Sequence, residues 1–322
     1  MVLLEEWSAI VRGVETTNLP SQTALFAAAA RAAHLIVDRE PVIFADELAA
    51  ILLGEQAKEL ISYHRLHGTH LVLSSARAQA VCRSRFTEDH LAARVRDGVS
   101  QYVILGAGLD SFAYRSQPAA GGPALQRPAG QRLIRVFEVD HPASQQWKRG
   151  HLAAAGIPVP DHVSFVAMDF ERDPLAGRLR QAGFDPDRPA LVSWLGVTMY
   201  LTPAAISQTL AEIGTFAPGT QLITDYMLPA ALRDETGNAY ADLVAPTAAE
   251  HGEPWLTFLA PGDMSALLET HGFGGVEHVR QRDSVPAALW DRTDSLRPAG
   301  LSMLARATLR PAAGAGYSRG HA

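Results

Sequence analysis

The chain's 322 residues suit one large domain or two small ones, and 47% hydrophobic against 19% charged residues excludes a globally disordered protein. The formal net charge of -6, from 28 basic and 34 acidic residues, argues against non-specific binding to nucleic acid. The single cysteine, Cys82, excludes an intramolecular disulfide and favours a reducing compartment.

The N-terminal segment carries no predicted targeting signal. Glu5 and Glu6 stand where a signal peptide carries basic residues. The apolar stretch 24–37 is interrupted by Arg31 and His34 and is too short to span a bilayer. The sequence therefore predicts a soluble, cytoplasmic protein without a membrane partner.

Residues 1–98 are predicted to form a helical N-terminal cap. Apolar residues recur at helical spacing in the segments 24–37, 45–53 and 74–98, and β-branched runs are few. No strand is expected before residue 99.

Residues 99–228 are predicted to form a cofactor-binding core in which strands and helices alternate. Near-continuous apolar runs typical of central parallel strands occupy 101–105, 133–139, 163–168, 190–194 and 221–226. Pro142 and Pro203 mark helix starts, and Gly156 marks a helix end. The alternation predicts an α/β fold with a Rossmann-like, doubly wound, mostly parallel seven-stranded sheet.

The rest of the chain is predicted to cover and complete this core. Residues 229–262 are polar and helix-prone and are expected to form a helical lid. Within 263–310, the end of the core sheet, Asp263 caps a short helix ending at Gly272, and 302–309 is the final strand. Two segments rich in Pro, Gly and Ala, 116–131 and 311–322, are expected to be a mobile loop and a disordered tail.

A glycine motif joins the first predicted strand to a helix. Gly106, Ala107 and Gly108 follow the strand directly, and Asp110 and Ser111 come next. Glycines allow the backbone to approach a nucleotide-like ligand, and the helix N-terminus offers free N–H groups. The same pattern also serves as a plain strand-to-helix turn, so it is weak on its own.

Two carboxylates at the end of the second strand make the motif more specific. Glu138 or Asp140 can accept both ribose hydroxyls of an adenosine, although Asp140 also suits an N-cap for the helix at Pro142. The dinucleotide-binding motif has a third small residue, and here that position is Ser111, preceded by the acidic Asp110. The Asp110 carboxylate would repel a pyrophosphate, but it suits a sulfonium ligand that carries an α-amino group. The residues therefore favour S-adenosyl-L-methionine over NAD as cofactor.

The combined motifs resemble those of the leucine carboxyl methyltransferase family, whose bacterial branch includes polyketide O-methyltransferases. The matching segments are 83–86, 106–115, 136–142 and 194–201, and the resemblance extends from Thr23 to the final strand. It implies a Rossmann-like, S-adenosylmethionine-dependent O-methyltransferase of secondary metabolism.

The resemblance implies roles for single residues. Arg83, with Arg85 as second choice, matches the arginine that binds the cofactor's methionine carboxylate, unless it lies on a solvated helix face. Gly106 and Gly108 match the cofactor-lining backbone, and Asp140 matches the ribose-binding acid. Asp169 and Phe170 resemble a pair that reads adenine, although Asp169 also suits the cap of a turn.

One position departs from the family pattern. Many members carry a glutamate at the end of the fourth strand, five residues before a tyrosine. Counting back from Tyr200 places Leu195 there. The role of that glutamate is therefore missing or supplied elsewhere, which puts the substrate in doubt more than the cofactor.

Four residues are candidates for the acceptor site, and no catalytic residue or metal ligand is assigned. Arg31 is a candidate cradle for a carboxylate, and Tyr200, Tyr226 and Trp255 line an acceptor pocket or belong to the core. His64, His67 and His70 lack an acid or cysteine to complete a metal set and are expected on a solvated face.

The absence of a recognisable base near the motifs favours a carboxylate acceptor, which is already ionised at neutral pH. The leading prediction is thus methylation of a carboxylate on a small molecule, natural product or peptide. A phenol acceptor, an NAD-dependent oxidoreductase and a non-catalytic cofactor-binding partner remain as alternatives. The oligomeric state is left open.

Overall fold

Seven strands form one sheet in the part of the chain that the computed structural model describes, residues 21–115 and 134–311. The strands are β1 (Gln101–Leu105), β2 (Arg135–Asp140), β3 (Val163–Ala167), β4 (Leu191–Trp194), β5 (Gln221–Met227), β6 (Phe273–Arg280) and β7 (Ser302–Leu309).

The strand order is β3-β2-β1-β4-β5-β7-β6, with β1 to β5 parallel and β7 antiparallel to both of its neighbours. In β1, Val103 pairs with Phe137 on one side and with Val192 on the other. The order reverses between β1 and β4, which creates a crevice at their carboxyl ends. The predicted doubly wound, mostly parallel sheet is confirmed.

Helices flank the sheet in the described ranges. They are α1 (Gln22–Val37), α2 (Ala49–Leu52), α3 (Ala57–His67), α4 (Leu71–Arg96), α5 (Phe112–Arg115), α6 (Pro142–Ala154), α7 (Leu175–Gln181), α8 (Pro203–Ile213), α9 (Glu235–Glu250) and α10 (Pro261–Thr270). Within residues 21–115 and 134–311, none combines the length and hydropathy needed to cross a bilayer.

The helices before β1 are held together by a buried polar network. Arg77 on α4 donates to both carboxylate oxygens of Asp38 at 2.8 Å, to the carbonyl of Gly68 at 2.9 Å, and contacts Nδ1 of His64 at 3.3 Å. His34 on α1 contacts Asp38 at 3.0 Å. The predicted solvated face at His64 is wrong, because this network buries the imidazole. Burial, aided by the Arg77 charge, lowers the pKa of His64 to about 3.

Both sides of the sheet carry apolar cores, and strand alternation decides which residues join each. Val103, Phe137 and Val192 belong to one core, whereas Tyr102 and Val136 belong to the other. The described strands therefore have helices packed over both faces.

Several predicted boundaries differ from the structure. The helix expected at 45–53 is limited to Ala49–Leu52, and β6 was not predicted. Asp263 is not the N-cap of α10; its carboxylate accepts the N–H of Ala260 from the first turn at 3.3 Å. The predicted mobile loop at 116–131 lies outside the described residues, as does the predicted disordered tail at 311–322 apart from its first residue.

Candidate active site

A cavity of about 540 Å³ lies in the crevice between β1 and β4. This volume lies within the range of about 300–1,000 Å³ that is typical of small-molecule sites. We call it the strand-end cavity. The residues that were predicted for the site from the sequence and that line this cavity are Arg31, Arg83, Gly106, Ala107, Gly108, Asp110, Asp140, Phe170, Leu195 and Tyr200. The loops that follow β1, β2, β3 and β4 therefore meet at one place.

The glycine loop after β1 is shaped by its contacts. Gly106 has a φ of +67°, and a Cβ on it would overlap the side chain of Val197. The N–H groups of Gly106 and Ala107 donate to the carbonyl of Val139 at 2.8 and 3.0 Å. The backbone thus turns at the edge of the strand-end cavity and packs closely against the side chain of Val197.

Asp140 joins this loop to β2. One oxygen of its carboxylate accepts the N–H of Gly108, and the other accepts the N–H of His141 at 2.6 Å. Burial raises the pKa of Asp140 above its ordinary value, although these two N–H groups oppose the change. The N-cap of α6 is His141, which accepts the N–H of Ala143 at 3.3 Å. Asp140 is therefore not the N-cap of α6, and its carboxylate lines the strand-end cavity.

Glu138, the other predicted ribose ligand, does not line the strand-end cavity. Its side chain is buried one strand repeat below Asp140, where Lys148 Nζ lies 2.7 Å away and the Tyr114 hydroxyl donates at 3.2 Å. Burial raises its pKa despite the Lys148 charge. The prediction for Glu138 is corrected, because its carboxylate is buried in the core and pairs with Lys148.

Arg31 does not offer a free cradle for a carboxylate. Its Nε lies 2.8 Å from Asp46, and its Nη2 donates to the carbonyl of Leu109 at 2.6 Å. Asp46 also accepts the hydroxyl of Ser111 at 2.6 Å. Burial opposes ionisation of Asp46, but the Arg31 charge and these hydrogen bonds hold its pKa below the ordinary value. Arg31 braces the glycine loop instead.

Of the two residues predicted to contact adenine, only Phe170 lines the strand-end cavity. Its ring stacks on Trp194 with centroids 6.2 Å apart. The Asp169 carboxylate accepts the N–H of Glu171 at 3.0 Å and lies 3.6 Å from Arg172. Asp169 does not line the cavity and serves as the cap of a turn, which corrects its predicted role.

A second cavity of about 140 Å³ adjoins the first. We call it the helix-lined cavity, because α1, α4 and α9 contribute most of its largely apolar wall. It shares with the strand-end cavity the residues Thr23, Ala27, Arg83, Gly196, Tyr200 and Glu253. Predicted acceptor residues Tyr200 and Trp255 both line it.

Arg83 lies where the two cavities meet. Its guanidinium passes so close to Gly196 that a Cβ there would lie 2.8 Å from both terminal nitrogens. Asp225 pairs with Arg83 at 3.1 Å and accepts the N–H of Gly196 at 2.6 Å. Arg85, the second choice, pairs with Asp89 at 2.6 Å on the outer surface. The structure thus brings Arg83, and not Arg85, to the site.

Tyr226 is misassigned, because its side chain leaves β5 on the face opposite the helix-lined cavity. Its hydroxyl bonds to Nδ1 of His278 at 2.8 Å within the other core. Met227, the next residue, lines the cavity because successive side chains on a strand point to opposite faces.

The helix-lined cavity has polar residues that the sequence did not single out. Gln79 Nε2 and Trp255 Nε1 are buried without a hydrogen-bond partner among the described residues. Burial raises the pKa of Tyr240 to about 12 and that of Tyr200 above its ordinary value. No motif marks Gln79, since only its place one helical turn before Arg83 on α4 brings it to the cavity.

Two further titratable residues come from the segment after α9. His251 Nδ1 donates to the carbonyl of Thr247 at 2.6 Å, and a Glu253 oxygen accepts the N–H of Thr23 at 3.2 Å. Within the described ranges, no three His, Cys, Asp or Glu side chains converge as a metal site requires.

Comparisons with known proteins identify the family of this chain. The family model described as leucine carboxyl methyltransferase matches residues 24–214. "Putative S-adenosyl-L-methionine-dependent methyltransferase YktD" of Bacillus subtilis is 29% identical over 300 residues, covering 87% of this chain and 94% of that protein. A Mycolicibacterium paratuberculosis relative named "Putative S-adenosyl-L-methionine-dependent methyltransferase" is 35% identical over 188 residues, 58% of this chain and 54% of its own length.

Solved structures agree on the fold. A "putative methyltransferase" from Thermobifida fusca has a TM-score of 0.54 at 18% identity and covers 92% of this chain and 97% of that one. A "duf574 family protein" from Streptomyces avermitilis has a TM-score of 0.54 at 17% identity, with coverage of 88% and 97%.

The family match covers more than half of the chain and supports a methyltransferase over an NAD-dependent oxidoreductase. The cofactor is S-adenosyl-L-methionine. The chain belongs to the leucine carboxyl methyltransferase family and is an S-adenosylmethionine-dependent methyltransferase.

Proposed function

We propose that the enzyme methylates a carboxylate oxygen of a small molecule, natural product or peptide bound in the helix-lined cavity. The proposal rests on the hydrogen-bond donors in that cavity. In the part of the chain that the structure describes, Gln79 and Trp255 carry buried N–H groups without partners, and burial keeps Tyr200 and Tyr240 protonated. A carboxylate has acceptor oxygens only, so it complements these donors.

The strand-end cavity fits the cofactor in size and in lining chemistry. Gly106 lines this cavity together with Ala107, Asp110 and Leu195, and the side chain of Val197 fills the space that a Cβ on Gly106 would take. In this proposal Asp140 accepts from the ribose hydroxyls, Phe170 lies against the adenine and Arg83 pairs with the methionine carboxylate. When bound, the cofactor supplies an electrophilic methyl group on a sulfonium.

The chain contributes alignment and the exclusion of water. The N-terminal helices and the insertion segment, residues 229–262, would act as cap and lid over the helix-lined cavity. Holding the acceptor oxygen in a near-attack position lowers the entropic part of the activation barrier, because the two reactants are already aligned. A carboxylate is ionised at neutral pH, so no general base is required.

A phenol is the second candidate acceptor, and His251 favours it. Because a carbonyl can only accept, the Nδ1 of His251 carries the hydrogen in its bond to Thr247, which leaves Nε2 of the neutral ring unprotonated. The ring lines the helix-lined cavity. A base there would help to ionise a phenol, whose ordinary pKa is about 10.

The test is to incubate the enzyme with panels of acids and phenols and to treat each methylated product with mild alkali. We expect methanol release, because methyl esters hydrolyse under conditions that leave aryl ethers intact. The variant His251→Gln is expected to keep this activity. An alkali-stable product, formed by the wild type and lost in His251→Gln, would establish the phenol instead.

A further inference from the structure

The junction of the two cavities carries one carboxylate with no cationic partner among the described residues. Glu253 is the one acidic residue there that lines both cavities. Its Oε2 accepts the N–H of Thr23 at 3.2 Å, and none of the ion pairs in the described ranges includes it. A partly buried carboxylate is costly to leave without a counter-charge.

Asp225 is already paired, Asp140 lies at the proposed ribose site, and Asp110 lines the strand-end cavity only and accepts the N–H of Phe112 at 2.8 Å. Asp225 divides its two oxygens between Arg83 and the N–H of Gly196, and its side chain is 3% exposed. Asp140 holds the N–H groups of Gly108 and His141. At the end of β4, Leu195 presents an apolar side chain to the strand-end cavity.

The methionine end of the cofactor carries a carboxylate and an ammonium. If Arg83 takes the carboxylate, the ammonium lies at the same junction and needs an anion. We infer that Glu253 binds this ammonium, so that the insertion segment supplies part of the cofactor site. The inference rests on the cofactor placement proposed above.

The backbone around Glu253 is fixed well enough for this role. The N–H of Leu256 donates to the carbonyl of Met199 at 2.7 Å, and the hydroxyl of Thr257 donates to the carbonyl of Leu201 at 2.6 Å. Thr23, in the first turn of α1, orients the carboxylate from the opposite side. The residue is thus held between α1 and the core.

The experiment compares two ligands by titration calorimetry, without any acceptor. One is S-adenosylhomocysteine, and the other is its analogue with hydrogen in place of the α-amino group. Glu253→Gln is expected to bind S-adenosylhomocysteine about 10- to 100-fold more weakly than the wild type, the range for a lost hydrogen bond to a charged group. Both proteins are expected to bind the deaminated analogue equally.

Glu250→Gln is the matched control, because Glu250 is exposed at the end of α9 and lines neither cavity. It is expected to bind both ligands as the wild type does. Equal weakening of both ligands by Glu253→Gln would overturn the inference and reduce Glu253 to a structural contact with α1. Unchanged binding of S-adenosylhomocysteine by Glu253→Gln would also overturn it. Neither calorimetric result depends on the acceptor. Failure of the carboxylate proposal in the alkali test would therefore leave this test unaffected.

Discussion

Arg83 is the one basic residue in the described ranges that lines both cavities. It keeps its pair with Asp225 and still has donors to spare, because a guanidinium carries five N–H groups in a planar fork. A lysine ammonium is a single point that cannot reproduce the fork. The geometry of this side chain, and not only its charge, therefore supports the proposed role.

Arg83→Lys is expected to weaken the binding of S-adenosylhomocysteine by roughly 1.5–3 kcal/mol, the value of a hydrogen bond to a charged group. Calorimetry at constant salt measures the change. Arg85→Lys, on the outer surface beside Asp89, serves as the control and should bind normally. Wild-type affinity in Arg83→Lys would remove Arg83 from the cofactor site.

Single residues also show where reasoning from the sequence succeeded. Gly106, Asp140 and Phe170 could be predicted to lie at the site because chemistry at strand ends is encoded locally. Glu138 and Tyr226 could not be placed, since small shifts along a strand decide whether a side chain meets the cavity or the core. Gln79 and Glu253 reach the helix-lined cavity through tertiary packing alone, and no local sequence motif predicts their position.

At the scale of elements, burial on both faces made strands predictable. Every residue of β1, β4 and β5 is buried, and each strand reads as a mostly apolar run with few polar residues in it. The missed strand β6 lies at the sheet edge, is partly exposed and contains Gly274 and Gly275. Such a sequence resembles a loop, and only its pairing with β7 in the folded sheet identifies it as a strand.

The glycine loop gives a prediction about stability. Gly106→Ala places a Cβ at a positive φ and against Val197, whereas Gly98→Ala has a φ of +98° but nothing within 4 Å. Gly106→Ala should therefore lower the free energy of unfolding by about 1–3 kcal/mol more than Gly98→Ala, the usual cost of overpacking. Denaturant unfolding of both variants measures this. Equal losses would mean that the loop tolerates the methyl group.

For the whole molecule, the buried His64 couples stability to pH. Its pKa lies at about 3 in the fold against 6.5 ordinarily, so protons bind the unfolded chain first as the pH falls below 6.5. The contribution of neutral His64 is full above that pH and is lost at about 1.4 kcal/mol per pH unit between 6.5 and 3. Glu88 acts in the opposite direction, because burial raises its pKa to about 7.

Comparing the wild type with a His64 variant separates the His64 contribution from the opposing one of Glu88. The stability of the wild type relative to His64→Gln should fall as the pH is lowered from 7 to 4, measured by urea unfolding. His67→Gln, one turn away on α3 and outside the Arg77 network, should follow the wild-type slope. A constant difference between wild type and His64→Gln would show that His64 does not contribute to acid sensitivity.

One face of α4 has a consequence for how such enzymes diverge. Ala76, Gln79, Ala80 and Arg83 line the helix-lined cavity at successive turns, and two of the four are alanines. A larger residue at Ala76 or Ala80 would narrow the cavity without touching the loops after β1 and β2. With the acceptor bound there as proposed, its size can be re-engineered, or drift under selection, within two turns of one helix while the use of the cofactor is inherited unchanged.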